Sequence, residues 1–271
     1  MDSLLKFSLL FSLLLFAGCT CDDGTIVLDE SDCPPPARTL TVANWNVQIL
    51  GDSKEANDTL MDFYASTMEK YDIIFIQEIR DSDGSAFPSL CSRLSGYNCS
   101  ISSRAGRSSS KEQVGIAYRS DISLLSLEDF NPDSLDRWER PPIKATFGVD
   151  GHLFSVYNIH TKPSEVPAEM AALESVVVNA GNVIIMGDLN ADCSYYPAAN
   201  HTHFLSWTWV IWDDADTTVS ATDCAYDRII MNSNAASEFV QYGIYTAGIV
   251  PGVSDHYLVW VEISAEDDNN V

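Results

Sequence analysis

The sequence predicts an α/β fold, a sandwich in which strands alternate with helices and the loops at the strand ends build one site. Three observations predict it. Short runs of apolar and β-branched residues recur along the chain, at residues 40–47, 73–76, 154–159, 183–186 and 257–261, with the length and composition of buried strands. Between two of them, Leu60, Phe63, Tyr64, Thr67 and Met68 fall at helical spacing within residues 53–70. Polar residues gather at the ends of the apolar runs, as loops lining a shared cleft require. A chain of 271 residues that is 46% hydrophobic can bury a large single core or two small ones.

Taken in order, residues 1–19 stand apart. Lys6 leads into an apolar run from Phe7 to Phe16, closed by Ala17-Gly18-Cys19. The run is too short to span a bilayer and has the small-residue end of a secretory signal. It also ends like a lipobox, so Cys19 is the expected lipid-bearing residue and the protein is expected to be exported. A free secreted form cleaved near the same place is the alternative. Residues 20–38 are acidic, end in Pro34-Pro35-Pro36 and read as a tether, residues 39–265 as the domain, and 266–271 as an acidic tail.

The domain opens on a strand carrying Asn46. The helix expected over 53–70 precedes a second strand that ends in Gln77-Glu78-Ile79-Arg80. Residues 113–119 read as a strand entered by Ser110-Lys111-Glu112, and 154–159 as one ending in His160-Thr161-Lys162-Pro163. Residues 228–231 are entered by Tyr226-Asp227, and 257–261 by Ser254-Asp255-His256. His201-Thr202-His203 reads as a surface loop, since no carboxylate adjoins it. Trp207, Thr208 and Trp209 alternate, so with Trp212 they read as core rather than as a stacking platform.

The pivotal stretch runs from Val183 to Tyr195. Gly187 ends its apolar run, and Asp188 and Asn190, one residue apart, project to the same side of an extended backbone. Alone, this could be an Asx turn at a strand end. Repetition of the pattern at other strands favours a site. Asn46, Glu78, Asp188, Asn190 and Asp255 offer oxygen only, which suits Mg²⁺, Mn²⁺ or Ca²⁺ rather than zinc. His160 and His256 sit at separate strand ends as candidate proton acceptor and donor, with Glu112 and Asp227 as their acidic orienters. The chain has neither a Gly-x-Ser-x-Gly elbow nor a P-loop, which argues against serine-hydrolase and P-loop chemistry.

The net charge is −24, from 15 basic and 39 acidic residues. Such a surface repels a polyanion at long range. Nine of the cations, however, lie between Arg80 and Lys144, so a phosphate-facing patch on an acidic body is expected, with divalent cations offsetting the rest. Seven cysteines support export. With Cys19 set aside, six remain as sequence neighbours: Cys21 with Cys33, Cys91 with Cys99, and Cys193 with Cys224. Sequence alone leaves fifteen pairings open.

With Asn46, Gln77-Glu78, His160, Gly187-Asp188-Leu189-Asn190, Asp227-Arg228 and Ser254-Asp255-His256 in this order, the chain resembles the endonuclease/exonuclease/phosphatase superfamily. Longer matches, among them Asp192-Cys193-Ser194-Tyr195 and Cys224-Ala225-Tyr226-Asp227-Arg228, resemble its deoxyribonuclease I-like branch and support a Cys193–Cys224 bridge. The resemblance implies an α+β, four-layer sandwich of two mixed β-sheets flanked by helices. It also implies a monomeric, metal-dependent endonuclease that hydrolyses DNA phosphodiesters to 5′-phosphate and 3′-hydroxyl ends.

Carried onto this sequence, the resemblance makes His160 and His256 the acid–base pair, oriented by Glu112 and Asp227, with Asn190 holding the phosphate. It makes Asn46, Glu78, Asp188 and Asp255 metal and phosphate positions. Arg80, Arg107, Lys111 and Arg140 become DNA contacts. Asp216, Thr218, Ser220 and Thr222 become a structural Ca²⁺ site, with Ser220 replacing a Thr of the family. Ser110 stands where the family has a minor-groove Tyr, which implies altered sequence preference and more reliance on phosphate contacts. His160 is taken as the base, although sequence treats the two histidines alike. The alternative function is a lipid phosphodiesterase or phosphatase of the same superfamily, of the sphingomyelinase or phosphoinositide type. A non-enzymatic binding protein is disfavoured because every acid, base and ligand position is filled.

Overall fold

In the computed structural model, the described residues are 19–21, 26–29, 31, 33 and 38–265. The segment read as a signal therefore lies outside them, apart from Cys19, which is exposed and free of any disulfide. Among the described residues no helix is long and apolar enough to cross a membrane. The described residues divide into two units, one reaching to Cys33 and the other running from Arg38 to Ala265. In the first, β1 (Cys19–Thr20), which starts at the last residue of the expected signal, pairs antiparallel with β2 (Ile26–Val27) of the stretch read as a tether, and Cys21 is bridged to Cys33.

The second unit holds two six-stranded sheets. Its elements are β3 (Arg38–Leu50), α1 (Asp52–Glu55), α2 (Asp58–Met68), β4 (Ile73–Ile79), α3 (Ala86–Cys91), β5 (Tyr97–Ile101), β6 (Gln113–Arg119) and β7 (Ser123–Asp129). There follow β8 (Ile143–Val149), β9 (His152–Asn158), α4 (Val166–Val176), β10 (Asn182–Asp188), β11 (Thr208–Trp209), β12 (Asp227–Met231), α5 (Ser233–Ser237), β13 (Phe239–Tyr245) and β14 (Leu258–Ala265). One sheet has the order β13-β14-β3-β4-β6-β5 and the other β11-β12-β10-β9-β8-β7. Only β3–β4 and β9–β10 pair in parallel, so both sheets are mixed.

Strand alternation explains the layers. Leu40, Val42, Ile73 and Phe75 point between the sheets, where they meet Phe147, Val156, Ile184, Met186 and Ile229. Their sequence neighbours Ala43, Trp45, Ile74 and Ile76 point the other way, onto Met61, Tyr64 and Met68 of α2. On the far face of the second sheet, Tyr157, Val183 and Ile185 pack on Met170 and Leu173 of α4. A strand covered on both faces must be apolar at every position, so these segments read as unbroken apolar runs. The result is helix, sheet, sheet, helix, the expected four-layer α+β sandwich.

The single helix expected over 53–70 is in fact two. Asn57 breaks it by adopting an extended conformation (φ −103°, ψ 90°) and capping α2, its side chain accepting from the Leu60 N–H at 3.2 Å. The tryptophans divide: Trp209 is core, Trp207 packs on Phe204, and Trp212 is 56% exposed. Residues 201–203 do lie in a loop, but carboxylates reach them from elsewhere in the chain. Glu174 bonds His203 Nδ1 at 2.9 Å, and His201 stacks between Tyr196 and Trp209.

Candidate active site

The C-terminal ends of the parallel strands β3, β4, β9 and β10 meet across the two sheets, and each carries polar groups there. β3 supplies Asn46, β4 Glu78, the end of β9 His160, and β10 Asp188, followed by Asn190. The strands are not regular at this end. The register of β3 on β4 shifts between Asn46 and Leu50, and that of β4 on β6 between Ile76 and Ile79. Gln48, Ile49 and Glu78 take positive φ values of 47°, 61° and 61°, and Asn190 takes 47°. Bulges of this kind re-aim side chains, and left-handed non-glycine residues cluster where a site demands them. Here they turn Glu78 to Asn46, whose Nδ2 donates to Glu78 Oε1 at 3.3 Å.

At Gly187 the backbone of β10 is pressed against the segment that follows β9 and against Gln77 of the other sheet. The glycine φ is +148°, and a Cβ there would lie 2.0 Å from the Ile159 carbonyl oxygen and 2.7 Å from Gln77 Nε2. Gly187→Ala should therefore lower stability by about 3 kcal/mol and displace Asp188, read as an earlier urea midpoint. An unchanged midpoint would refute the contact.

Two imidazoles converge on one carboxylate. His160 Nε2 lies 3.3 Å and His256 Nε2 3.5 Å from Asp188 Oδ2, which also accepts from Asn46 Nδ2 at 3.0 Å. Behind each ring stands a further carboxylate, Glu112 Oε1 at 2.6 Å from His160 Nδ1 and Asp227 Oδ2 at 2.8 Å from His256 Nδ1. Each carboxylate fixes its ring with Nε2 facing the cleft.

The two pairs are not equivalent. Glu112 is shared with two guanidiniums, Arg140 Nε at 3.1 Å and Arg80 Nε at 3.2 Å. Among the described residues Asp227 has its ion pair with His256. Burial opposes charging of both imidazoles, but Glu112 and Asp188 outweigh it at His160, and Asp227 and Asp188 do so at His256. Both are therefore raised. Burial raises Asp227 against the pull of His256, whereas Glu112, also buried, is held down to about 2 by His160, Arg140 and Arg80.

Oxygen ligands surround the pair. Glu78 Oε2 accepts from the Ile49 N–H at 3.1 Å, and Asp255, half exposed, accepts from Gln48 Nε2 at 3.0 Å. Five carboxylates (Glu78, Glu112, Asp188, Asp227 and Asp255) gather here with the guanidiniums of Arg80 and Arg140, the two imidazoles and the ammonium of Lys54. Asn46 and Glu78 adjoin at the cleft, Asn46 turning Nδ2 to Glu78 Oε1 and Asp188 Oδ2 while its Oδ1 accepts from the Gln48 N–H at 3.0 Å; rotation of the amide would set its oxygen beside the Glu78 carboxylate, an oxygen pair that fits a hard cation. Asn190 donates from Nδ2 to the Thr161 carbonyl at 3.1 Å.

The expected Ca²⁺ residues form a compact loop. Thr218 Oγ1 donates to the Thr222 carbonyl at 2.9 Å and lies 3.2 Å from Asp216 Oδ1, while Ser220 Oγ donates to the same Thr222 carbonyl at 2.9 Å. The loop pairs with the His256 segment, the Val219 N–H donating to the Asp255 carbonyl and the Tyr257 N–H to the Thr217 carbonyl. The disulfide Cys193–Cys224 ties the loop after β10 to the one that enters β12, and Cys91 is bridged to Cys99.

The cations expected to face DNA have distinct surroundings. Lys111 is exposed. Arg80 also reaches Glu78 at 3.3 Å. Arg140 turns inward, donating to the His160 carbonyl at 2.9 Å and the Thr161 carbonyl at 2.8 Å. Arg107 is held by Asp136 at 2.8 Å and Glu165 at 3.0 Å.

Three buried amides were given no role in the sequence reading, although Gln77 stands in the motif beside Glu78. Gln77 accepts from the Asp188 N–H at 2.9 Å and donates to Asn158 Oδ1 and the Ile159 carbonyl, both at 2.9 Å. Asn158 in turn donates to Asn44 Oδ1 at 2.8 Å. This network crosses between the sheets beneath Asp188. Its signal in the sequence was the presence of amides inside apolar strands, where an unpaired polar group would be costly. Lys54 was also missed. Its Nζ donates to the Val47 and Val253 carbonyls at 2.5 and 2.7 Å, joining the Asn46 bulge to the His256 segment.

The chain belongs to the Endonuclease/Exonuclease/phosphatase family, whose model matches residues 43–256. Within it, the chain is a deoxyribonuclease I-like member. Deoxyribonuclease-1 of Gallus gallus is 36% identical over 265 residues, covering 84% of this chain and 94% of the relative. The Homo sapiens protein of that name is 31% identical over 261 residues, covering 83% and 92%. Among solved structures, an endonuclease/exonuclease/phosphatase family protein of Bacteroides thetaiotaomicron has the same fold (TM-score 0.62, 18% identity, 84% of this chain and 96% of that one).

Proposed function

We propose that the protein is an exported, metal-dependent DNA endonuclease that leaves 5′-phosphate and 3′-hydroxyl ends. The observation that carries the mechanism is the convergence of two carboxylate-backed Nε2 atoms on one point, 3.3 and 3.5 Å from Asp188 Oδ2. Relatives called deoxyribonuclease-1 at 31–36% identity support DNA as substrate. Three disulfides support an oxidising, extracytoplasmic location, and Cys19, free and exposed, is available for a lipid.

His160 serves as base. Arg140 and Arg80 share Glu112, and the Arg140 charge opposes protonation of His160, an asymmetry on which the base is assigned to His160. His160 Nε2 takes a proton from water, whose oxygen attacks phosphorus in line with the departing 3′ oxygen. As the P–O3′ bond breaks, His256 Nε2, kept charged by Asp227, gives its proton to the leaving oxygen. Asn190 holds a non-bridging phosphate oxygen. Mg²⁺ or Mn²⁺ bound by Asn46 and Glu78 would supply neutralisation of phosphate charge. Asp188 stabilises the charge that His256 carries and the charge that His160 gains as it takes the proton, and Asp255 stands at the cleft to add a ligand. Ca²⁺ at Asp216, Thr218, Ser220 and Thr222 would brace the His256 segment. Arg80, Arg107, Lys111 and Arg140 would meet the DNA backbone, and the protein would act as a monomer.

The test is nicking of supercoiled plasmid by the purified domain from Arg38 onward, with Mg²⁺ plus Ca²⁺, against EDTA. Nicking that EDTA abolishes is expected. Its absence from a folded, disulfide-intact protein that cleaves a phospholipid would establish the lipid-phosphodiesterase alternative.

A further inference from the structure

Lys162 stands two residues beyond His160, and neither the residue pattern nor the family resemblance gives it a role. Its backbone is pinned, the N–H donating to Glu169 Oε2 at 2.9 Å, and Pro163 follows it. Its ammonium is not buried. Nζ lies 2.6 Å from Glu165 and 3.6 Å from Glu139, on a side chain 36% exposed. The same two acids hold Arg107, at 3.0 and 4.0 Å, and Asp136 holds it at 2.8 Å. Two cations are thus caged by three carboxylates at the rim of an open groove of about 420 Å³. Arg80, Ser108, Ser110, Glu139, Arg140 and Lys162 line this groove.

The cations of the groove differ in their freedom. Arg80 and Arg140 are tied to the buried Glu112 and to main-chain carbonyls beside His160. Lys162 is tied most closely to Glu165, both side chains 36% exposed, in a pair that water screens and that a phosphate can replace at little cost, and at 3.6 Å to the less exposed Glu139. Ser110, with its short side chain, puts little bulk into the groove in front of it. Arg140 both lines this groove and donates to the His160 carbonyl, so the rim adjoins the cleft.

We infer that Lys162 binds a backbone phosphate of the DNA strand beside the scissile one, and that Glu165 competes with DNA for it. Substrate binding then exchanges a carboxylate for a phosphate at this lysine. Glu165 thereby sets KM and its salt dependence without touching the reacting atoms. The inference rests on the endonuclease reading and adds to it a residue that governs substrate affinity.

The experiment measures initial rates on a fluorescein-labelled duplex, with Mg²⁺ plus Ca²⁺, over a series of NaCl concentrations. Lys162→Met should raise KM about 3–10-fold, change kcat less than about twofold, and reduce the salt slope of 1/KM by about one. Lys162→Arg should restore both KM and slope. Glu165→Gln, which removes the nearest acid on Lys162 and leaves Arg107 held by Asp136, should lower KM about 2–5-fold at low salt. An unchanged KM and slope in Lys162→Met, or a raised KM in Glu165→Gln, would overturn the assignment while wild-type cutting left the endonuclease reading in place. A wild type that cuts no DNA would overturn both.

Discussion

His256→Ala and His160→Ala should each lower the rate of plasmid nicking by about 10²–10⁴-fold, the range a positioned acid or base contributes. The double variant should lose far less than the product of the two, because groups that act in one transition state are not additive. The geometry separates their roles further. If His256 protonates the leaving oxygen, a phosphodiester whose leaving group is p-nitrophenolate needs no proton there. That substrate should restore much of the rate to His256→Ala and little to His160→Ala. Near-normal nicking by either variant would remove the pair from the mechanism, and rescue of His160→Ala alone would exchange their roles. The difference originates behind the rings, where Glu112 is shared with Arg140 and Arg80 and Asp227 is paired with His256.

Asp188→Asn should cost about 10²–10³-fold in kcat, the scale of losing one preorganised electrostatic contact. Asp188 Oδ2 meets both imidazoles and Asn46, and its Oδ1 accepts from the Asn190 N–H at 3.1 Å. Removing its charge while keeping its shape lowers the affinity of both rings for protons, which NMR titration of the two histidines would show as lower midpoints. Stability should respond differently. Burial opposes ionisation of Asp188, and the two imidazoles pull its pKa below the usual aspartate value. A buried charge network loses little stability when an isosteric neutral group replaces one member and the desolvation cost falls with it. Asp188→Asn is therefore expected to melt within a few degrees of wild type. A large fall in Tm with activity retained would make Asp188 a structural residue and leave the cleft without its centre.

Much of the site was legible in the sequence because its chemistry is carried by residue types that do not belong at the ends of apolar strands. Asn46, Glu78, His160 and Asp188 each follow or interrupt a run of buried side chains, His256 leads into one, and the structure brings all five together. Strand period and composition likewise determined the two-faced burial of β3, β4 and β10. The helix break at Asn57 was not legible, since a single capping side chain competes there with an otherwise continuous helical pattern.

What tertiary structure alone decided is the partnership of charges and amides. Gln77 bonds the Asp188 backbone 111 residues away and Asn158 81 residues away. With 39 acids and 15 bases, composition leaves the partners of Arg107, Arg140 and Lys162 open. The packing of two sheets turned Arg140 inward to Glu112 and caged Arg107 and Lys162 with Glu139 and Glu165. The physical reason is range. Strand and helix patterns are set by neighbours within a few residues, whereas hydrogen bonds and ion pairs act over about 3–4 Å in space and form between whichever groups the fold brings that close.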